Sequence, residues 1–161
     1  MARSNDTTDG GEIEDNLLGI NDWNIINEEE AKGVINAENF LLELEEDVII
    51  DPALIKRIHF EAFGHLYEWA GKFRTVNVSV GSFIPPDYKE LNNLMAQFTS
   101  QLNYYLNQAN SLLDLVDAIA YAHHKIVAIH PFKNGNGRTA RLISDLIAYM
   151  NGYDAIQIYN R

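Results

Sequence analysis

The sequence predicts a mainly helical fold, a bundle of amphipathic helices that carries one small two-stranded hairpin. Apolar residues recur at helical spacing through four long stretches, a fifth helical pattern follows a glycine-rich loop, and a short stretch alternates apolar with polar residues. With 161 residues, of which 47% are hydrophobic, the chain is long enough for one domain with a single core.

The first two helices follow an acidic start. Residues 1–15 are small, polar and acidic, which predicts a disordered tail ahead of a folded domain over 16–161. From Asn24 to about Glu46 the spacing is helical, with Glu28, Glu29 and Glu30 expected on the exposed side. Asp51-Pro52 then starts the second helix, because proline is favoured in a first turn.

Two histidines accompany the second helix. His59 lies within it and His65 follows six residues later. Metal ligands on one helical face are three or four residues apart, so this spacing argues against a metal site. Both histidines are expected to be structural.

The hairpin is predicted from the stretch after Thr75. Val76, Val78 and Val80 alternate with polar residues before Gly81, and 82–84 offers a returning strand before two prolines. A hairpin this short is not stable alone, so it is expected to lie on the helical body.

Two long helices are predicted to follow the hairpin. One covers about 91–106, and the next starts at Ser111, which with Asp114 forms a weaker relative of a capping box, and runs to Ile129. The second of these is apolar nearly all round, so it is expected to be the central buried helix.

Charge and composition restrict the classes of function. The net charge is −11, yet Lys125, Lys133, Arg138 and Arg141 lie within 17 positions. A local positive focus in an acidic protein favours a small anionic ligand over a nucleic acid. The absence of cysteine excludes disulfides and thiolate metal sites, and no apolar stretch suits a membrane span or a signal peptide, so a cytoplasmic protein is expected.

The stretch His130–Arg141, HPFKNGNGRTAR, carries the predicted chemistry. Gly135 and Gly137 flank Asn136, so the backbone is expected to adopt positive φ and to approach a ligand closely. Its N–H groups, together with the start of a helix near Arg138, would form an anion site suited to phosphate.

Side chains around this loop complete the hypothesis. Arg138 and Arg141 are three residues apart, hence on one helical face, and their planar forks suit phosphate oxygens. His130 precedes Pro131, which is expected to end the preceding helix and to leave the imidazole available as a base. Phe132 is expected to pin the loop to the core.

HPFKNGNGRTAR resembles the signature HxFx(D/E)GNGRxxR of the Fic/Doc family and matches every fixed position except one. The stretches AHHKIVAIH and LYEWAGKFRT are also similar to that family, so the resemblance covers about Leu17 to Tyr153. It implies an all-α, Fic-type helical bundle with a small β-hairpin flap. It also implies a nucleotidyltransferase that moves AMP from ATP to a Ser, Thr or Tyr hydroxyl of a protein or of itself, the reaction called AMPylation.

The resemblance assigns a role to each matching residue. His130 would be the general base, and the flap would dock the target protein as an added strand. The nucleotide and phosphate site would consist of Lys133, Asn134, Gly135, Asn136, Gly137, Arg138 and Arg141. The docking flap would consist of Val78, Ser79, Val80, Gly81, Ser82 and Phe83.

The departure from the signature is Asn134, where the family most often has a carboxylate that binds Mg²⁺. An amide oxygen can coordinate a hard cation but lacks the negative charge, so weaker Mg²⁺ binding is expected. This leaves room for another nucleotide or phosphate donor.

Regulation and activity leave alternatives open. Some members of the family carry an inhibitory glutamate in a pattern (S/T)xxxE(G/N), and the nearest stretch here, Val34–Asn39, lacks the hydroxyl residue. An inhibitory glutamate would then come from a separate, antitoxin-like partner. The alternatives to AMP transfer are a transferase of the same fold with another donor, and a weakly active nucleotide-binding regulatory module. The target, the preferred nucleotide and the oligomeric state stay open.

Overall fold

The computed structural model describes residues 16–156, which form a mainly helical unit, as predicted. The predicted acidic tail lies outside the described residues, and so do 157–161. A 3-10 turn, Tyr88–Glu90, leads directly into the third helix. The five helices are α1 (Trp23–Leu42), α2 (Pro52–Phe63), α3 (Leu91–Gln108), α4 (Leu112–Ile129) and α5 (Asn136–Met150).

Side-chain caps fix where three of these helices begin. The carboxylate of Asp22 accepts hydrogen bonds from the first backbone N–H groups of α1, and that of Asp51 accepts one from Leu54 at 2.7 Å. The hydroxyl of Ser111 accepts one from the N–H of Asp114 at 3.1 Å, which confirms the predicted start of α4.

The central helix is α5, which packs against α1, α2 and α4. Eleven of its 15 residues are buried, including the polar side chains of Thr139 and Ser144. In contrast, α4 leaves Leu112, Leu113 and Val116 exposed. The expectation that α4 is central was wrong, because apolar content measures how much surface a helix can bury and not where it lies.

A close contact between α1 and α2 sets the position of the first helix. A Cβ added at Gly33 would lie 1.9 Å from the carbonyl oxygen of Ala62, so only glycine fits there. One turn earlier, Glu30 is only 2% exposed. Glu28 is exposed as predicted, but the expected exposure of Glu30 was wrong.

The predicted hairpin is reduced to one antiparallel bridge between Val80 and Phe83, whose N–H and C=O groups bond at 2.9 Å in both directions around Gly81. No ladder extends from this bridge within the described residues. The ends of the segment are instead closed by side chains, for example by the Asn77 amide oxygen, which accepts from the N–H of Tyr88 at 2.9 Å. We call residues 75–86 the flap segment.

No helix among residues 16–156 combines the length and the apolar character needed to cross a bilayer.

Candidate active site

The loop between α4 and α5 begins with an unusual backbone conformation at His130. Helix α4 ends at Ile129, and His130 adopts the left-handed region with φ 53° and ψ 58°. It is the only non-glycine residue with positive φ in the described part of the chain. This conformation costs about 1–2 kcal/mol in an L-residue, so surrounding contacts must hold it. The predicted helix end before Pro131 is confirmed.

Arg74 supplies those contacts. Its Nε donates to the carbonyl of His130 at 2.8 Å, and its two Nη atoms donate to the carbonyls of Val76 at 2.9 Å and Pro86 at 2.6 Å. Its backbone N–H donates to the carbonyl of Pro131 at 2.9 Å. One buried side chain therefore joins the loop between α4 and α5 to both ends of the flap segment. Sequence reasoning missed this role, and the GKFRT stretch before the alternating residues was its only signal.

The imidazole of His130 is buried and neutral at physiological pH. Burial lowers its pKa to about 4 and the charge of Arg74 adds to this, while a hydrogen bond to the Val127 backbone acts in the opposite direction. A neutral imidazole can accept a proton from an incoming hydroxyl without first losing one. His130 is therefore unprotonated at neutral pH, which a proton acceptor must be.

Phe132 anchors the loop as predicted, since it is fully buried. Its ring stacks on His59 with centroids 3.8 Å apart and planes inclined by 13°. The N–H of Gly71 donates to Nδ1 of His59 at 2.9 Å, so the ring proton lies on Nε2, which donates to the carbonyl of Asn134 at 3.0 Å. The structural role expected for His59 is thus specific, because it supports the loop at two points.

Asn136 closes the loop with its side chain. Its Oδ1 accepts from the N–H of Phe132 and its Nδ2 donates to the carbonyl of the same residue, both at 2.9 Å. Both ends of the amide are therefore committed to the backbone. What Asn136 can offer to a phosphate is its own backbone N–H.

The N-terminus of α5 presents its amide groups without a side-chain cap. The helix begins at Asn136, two residues earlier than predicted, and its first internal bond runs from the N–H of Thr139 to the carbonyl of Gly135. The preceding N–H groups have no partner within the helix, so they form an anion-binding end. A Cβ added at Gly137 would meet only Nη1 of Arg141, at 3.9 Å, which shows open space beside this end.

Two basic residues of the motif, Arg138 and Lys133, have different surroundings. Arg138 forms an ion pair with Glu30, and its guanidinium lies 4.6 Å from the centroid of Phe63. Lys133 lies over the ring of Trp69, at 5.8 Å from the centroid, and lines a cavity of about 440 Å³ that Lys72 also lines. Lys133 therefore contacts an aromatic ring, a contact that was not part of its predicted role in the phosphate site.

Asn134 offers an amide oxygen, and not a carboxylate, at the position predicted to bind Mg²⁺. Its Oδ1 accepts a hydrogen bond from the N–H of Gly135 at 2.7 Å, and the side chain is buried. No group of three or more metal-ligating His, Cys, Asp or Glu side chains occurs within residues 16–156. Mg²⁺ is held in proteins by one or two carboxylates, and here the predicted ligand is an amide oxygen that is already bonded. The donor set does not fit the ion.

The stretch Val34–Asn39 lies in α1. Burial raises the pKa of Asp145 on α5, and the carboxylate of Glu38 adds to that rise while Arg141 opposes it. Glu38 therefore faces the side of α5 that carries Asp145 and Arg141.

A groove lies beside the flap segment. It has a volume of about 580 Å³ and runs between α3 and α4 up to Ile129, next to His130. Phe83, Ile84 and Pro86 form its flap side, and Ile84 is 77% exposed. This surface is open to a protein that approaches the loop.

Acid should destabilise the fold through its buried neutral histidines. Burial lowers the pKa of His59 to about 3, while an unfolded histidine titrates near 6.5, so between these values the unfolded chain binds more protons. The free energy of unfolding should then be highest above about pH 6.5. It should decrease as the pH falls below this value, by up to about 1.4 kcal/mol per pH unit for each such histidine. Urea unfolding at pH 7.5, 6.5 and 5.5 measures this slope.

One variant tests this assignment. His59→Gln should reduce the dependence of the free energy of unfolding on pH. An identical slope in the His59→Gln protein would contradict the assignment.

Comparison with known proteins gives the same family as the motif. The family model described as Fic/DOC family matches residues 49–148. A protein of Nematostella vectensis named Protein adenylyltransferase Fic is 33% identical over 131 residues, which are 81% of this chain and 29% of that protein. The chain thus spans less than a third of that relative.

Solved structures share the fold. The N-terminal Fic domain of a Bartonella effector protein from Bartonella sp. AR 15-3 matches with a TM-score of 0.74 at 18% identity, over 92% of this chain and 73% of that one. BepC from Bartonella tribocorum, with bound AMPPNP, matches with a TM-score of 0.69 at 21% identity, over 92% of this chain and 79% of that one. These likenesses concern the fold, while the family match extends over more than half of the chain, and on that match this chain belongs to the Fic/DOC family.

Proposed function

We propose that this protein is an adenylyltransferase that moves AMP from ATP to a hydroxyl of a protein. His130 takes the proton of the hydroxyl as its oxygen attacks the α-phosphorus. The bond between the α-phosphorus and the bridging oxygen breaks, and pyrophosphate leaves with that oxygen. The reaction depends mainly on positioning and on electrostatic stabilisation of the phosphates.

The observation that carries this proposal is a neutral, buried base beside an uncapped helix N-terminus. His130 stands at one end of a six-residue loop, and the free N–H groups of α5, with Arg138 and Arg141, stand at the other. The name of the Nematostella relative and the AMPPNP in BepC support a nucleoside triphosphate as the donor.

The flap segment and its groove would hold the target. An extended segment of the target would pair along residues 78–83, and its neighbouring apolar side chains would enter the groove beside Ile84. This mode fixes the register of a hydroxyl while it selects little of the target sequence. We also propose that an inhibitory glutamate comes from a separate chain, because the Val34–Asn39 stretch lacks the hydroxyl residue of the inhibitory pattern.

A second candidate keeps the fold and changes the donor. Asn134 favours it, since the amide oxygen is committed to Gly135 and the family's usual carboxylate is absent. A phosphate or a different nucleotide would then be the group that is transferred.

One experiment tests both candidates. The purified protein is incubated with Mg²⁺ and ATP labelled at either the α- or the γ-phosphate, and intact mass is measured beside the His130→Ala and His65→Ala proteins. Added AMP in the wild type and the His65→Ala control, with a loss of about 100-fold or more in His130→Ala, is expected for a general base. Undiminished transfer by His130→Ala would contradict the mechanism, and added phosphate would favour the second candidate.

A further inference from the structure

Glu30 is a buried carboxylate whose two oxygens are both occupied. It lies on α1 with 2% of its surface exposed. Oε1 accepts a hydrogen bond from the hydroxyl of Tyr67 at 2.7 Å, and Oε2 accepts one from Nη1 of Arg138. Buried carboxylates are rare unless they are paired. Glu30 therefore serves an internal contact between α1 and the motif helix, and not the acidic surface predicted for it.

The guanidinium of Arg138 is held on two sides. Glu30 binds its Nη1 edge, and the ring of Phe63 lies 4.6 Å beneath it. Its Nε is buried without a hydrogen-bond partner among the described residues, and the side chain as a whole is 10% exposed. Only that tenth is accessible to a ligand. A long side chain that would otherwise sample many rotamers is thereby kept in one.

We propose that Glu30, oriented by Tyr67, is a positioning residue that fixes Arg138 for contact with the phosphates of the donor. This inference rests on the function proposed above. A phosphate-binding arginine works best when its fork is oriented before the ligand arrives, because little reorganisation is then needed during the reaction. The carboxylate also balances the charge of a guanidinium that is mostly removed from water.

The position of Glu30 distinguishes this role from inhibition. A carboxylate that blocks a phosphate must lie where the phosphate would lie, at the accessible side of the arginine. Glu30 is instead enclosed between α1, Tyr67 and α5. Its removal should therefore lower the activity, whereas removal of a blocking glutamate would raise it.

The kinetic test compares Glu30→Gln with Glu28→Gln, which makes the same change at an exposed position of the same helix. We expect kcat/KM for ATP to fall by about 10- to 100-fold in Glu30→Gln and to stay unchanged in Glu28→Gln, since loss of a supporting partner typically has that effect. Tyr67→Phe keeps the ion pair and should show a smaller loss. A wild-type or higher rate in Glu30→Gln would overturn the proposal.

A second readout does not depend on activity. Nitrogen-15 NMR of the Arg138 guanidinium, assigned with Arg138→Lys, reports rotation of its Nη groups. We expect restricted rotation in the wild type and faster rotation in Glu30→Gln; if that variant does not fold, Tyr67→Phe, which keeps the ion pair but removes the hydroxyl that orients Glu30, should show a smaller increase. Equal rotation in wild type and variant overturns the positioning role. Restricted rotation in a wild type that transfers nothing would instead contradict the proposed function and leave the positioning role standing.

Discussion

Replacing Arg74 with methionine is expected to lower transfer by about 100-fold, an effect that small misplacements of catalytic groups can have. The substitution removes the donors that hold the carbonyls of His130, Val76 and Pro86, so the left-handed backbone of His130 loses its support. The free energy of unfolding should fall by roughly 3 kcal/mol, because hydrogen bonds to charged groups contribute about 1.5–3 kcal/mol each and some of the carbonyls regain water. Initial rates and urea unfolding measure the two effects.

A control substitution and a pH profile test the role of Arg74. Arg57→Met makes the same change at an exposed position of α2 whose partner is Glu61, and it should alter stability by less than about 1 kcal/mol. Loss of the Arg74 charge should also raise the pKa of His130, so the acid limb of the kcat/KM profile should move to higher pH. An unchanged acid limb together with an unchanged rate would refute the role assigned to Arg74.

Helix boundaries could be predicted from the sequence because their causes are local. Asp51-Pro52 and Ser111 mark helix starts through contacts with residues three positions away at most. The burial of Glu30 could not be predicted in this way. Its neighbours Glu28 and Glu29 have the same chemistry, and only the later packing of α1 against α2 and α5, close at Gly33, decides which of the three faces inward.

The candidate site also contains features that could be predicted from the sequence and contacts that could not. The motif residues are consecutive, so the sequence predicted the loop and the position of His130 together. Arg74, in contrast, acts on a backbone carbonyl 56 residues away, and every residue carries such a carbonyl. The GKFRT stretch marks the position of Arg74, but it does not show which carbonyls the guanidinium binds. Arg74 also binds the carbonyls at both ends of the segment in which the predicted hairpin is reduced to a single bridge.

Replacing Gly135 with alanine should destabilise the protein and lower its activity. Gly135 has φ 77°, and an added Cβ would lie 2.6 Å from Cε2 of Phe63. The left-handed conformation costs an L-residue about 1–2 kcal/mol and the crowding about 1–3 kcal/mol, so a loss near 3 kcal/mol is expected. Since Phe63 also supports Arg138, relief of the clash would displace the arginine. Urea unfolding and initial transfer rates measure the two losses.

Gly137→Ala provides the matched comparison within the same motif. The sequence suggests that both glycines take positive φ, yet Gly137 lies inside α5 with open space around its Cβ position. Alanine at that position should raise the free energy of unfolding by up to about 1 kcal/mol, because it restricts the unfolded chain. The two substitutions should therefore act with opposite signs on stability. Equal destabilisation by both would mean that Gly137 also needs a backbone conformation that alanine does not adopt. Helix α5 would then begin nearer to Arg138 than to Asn136.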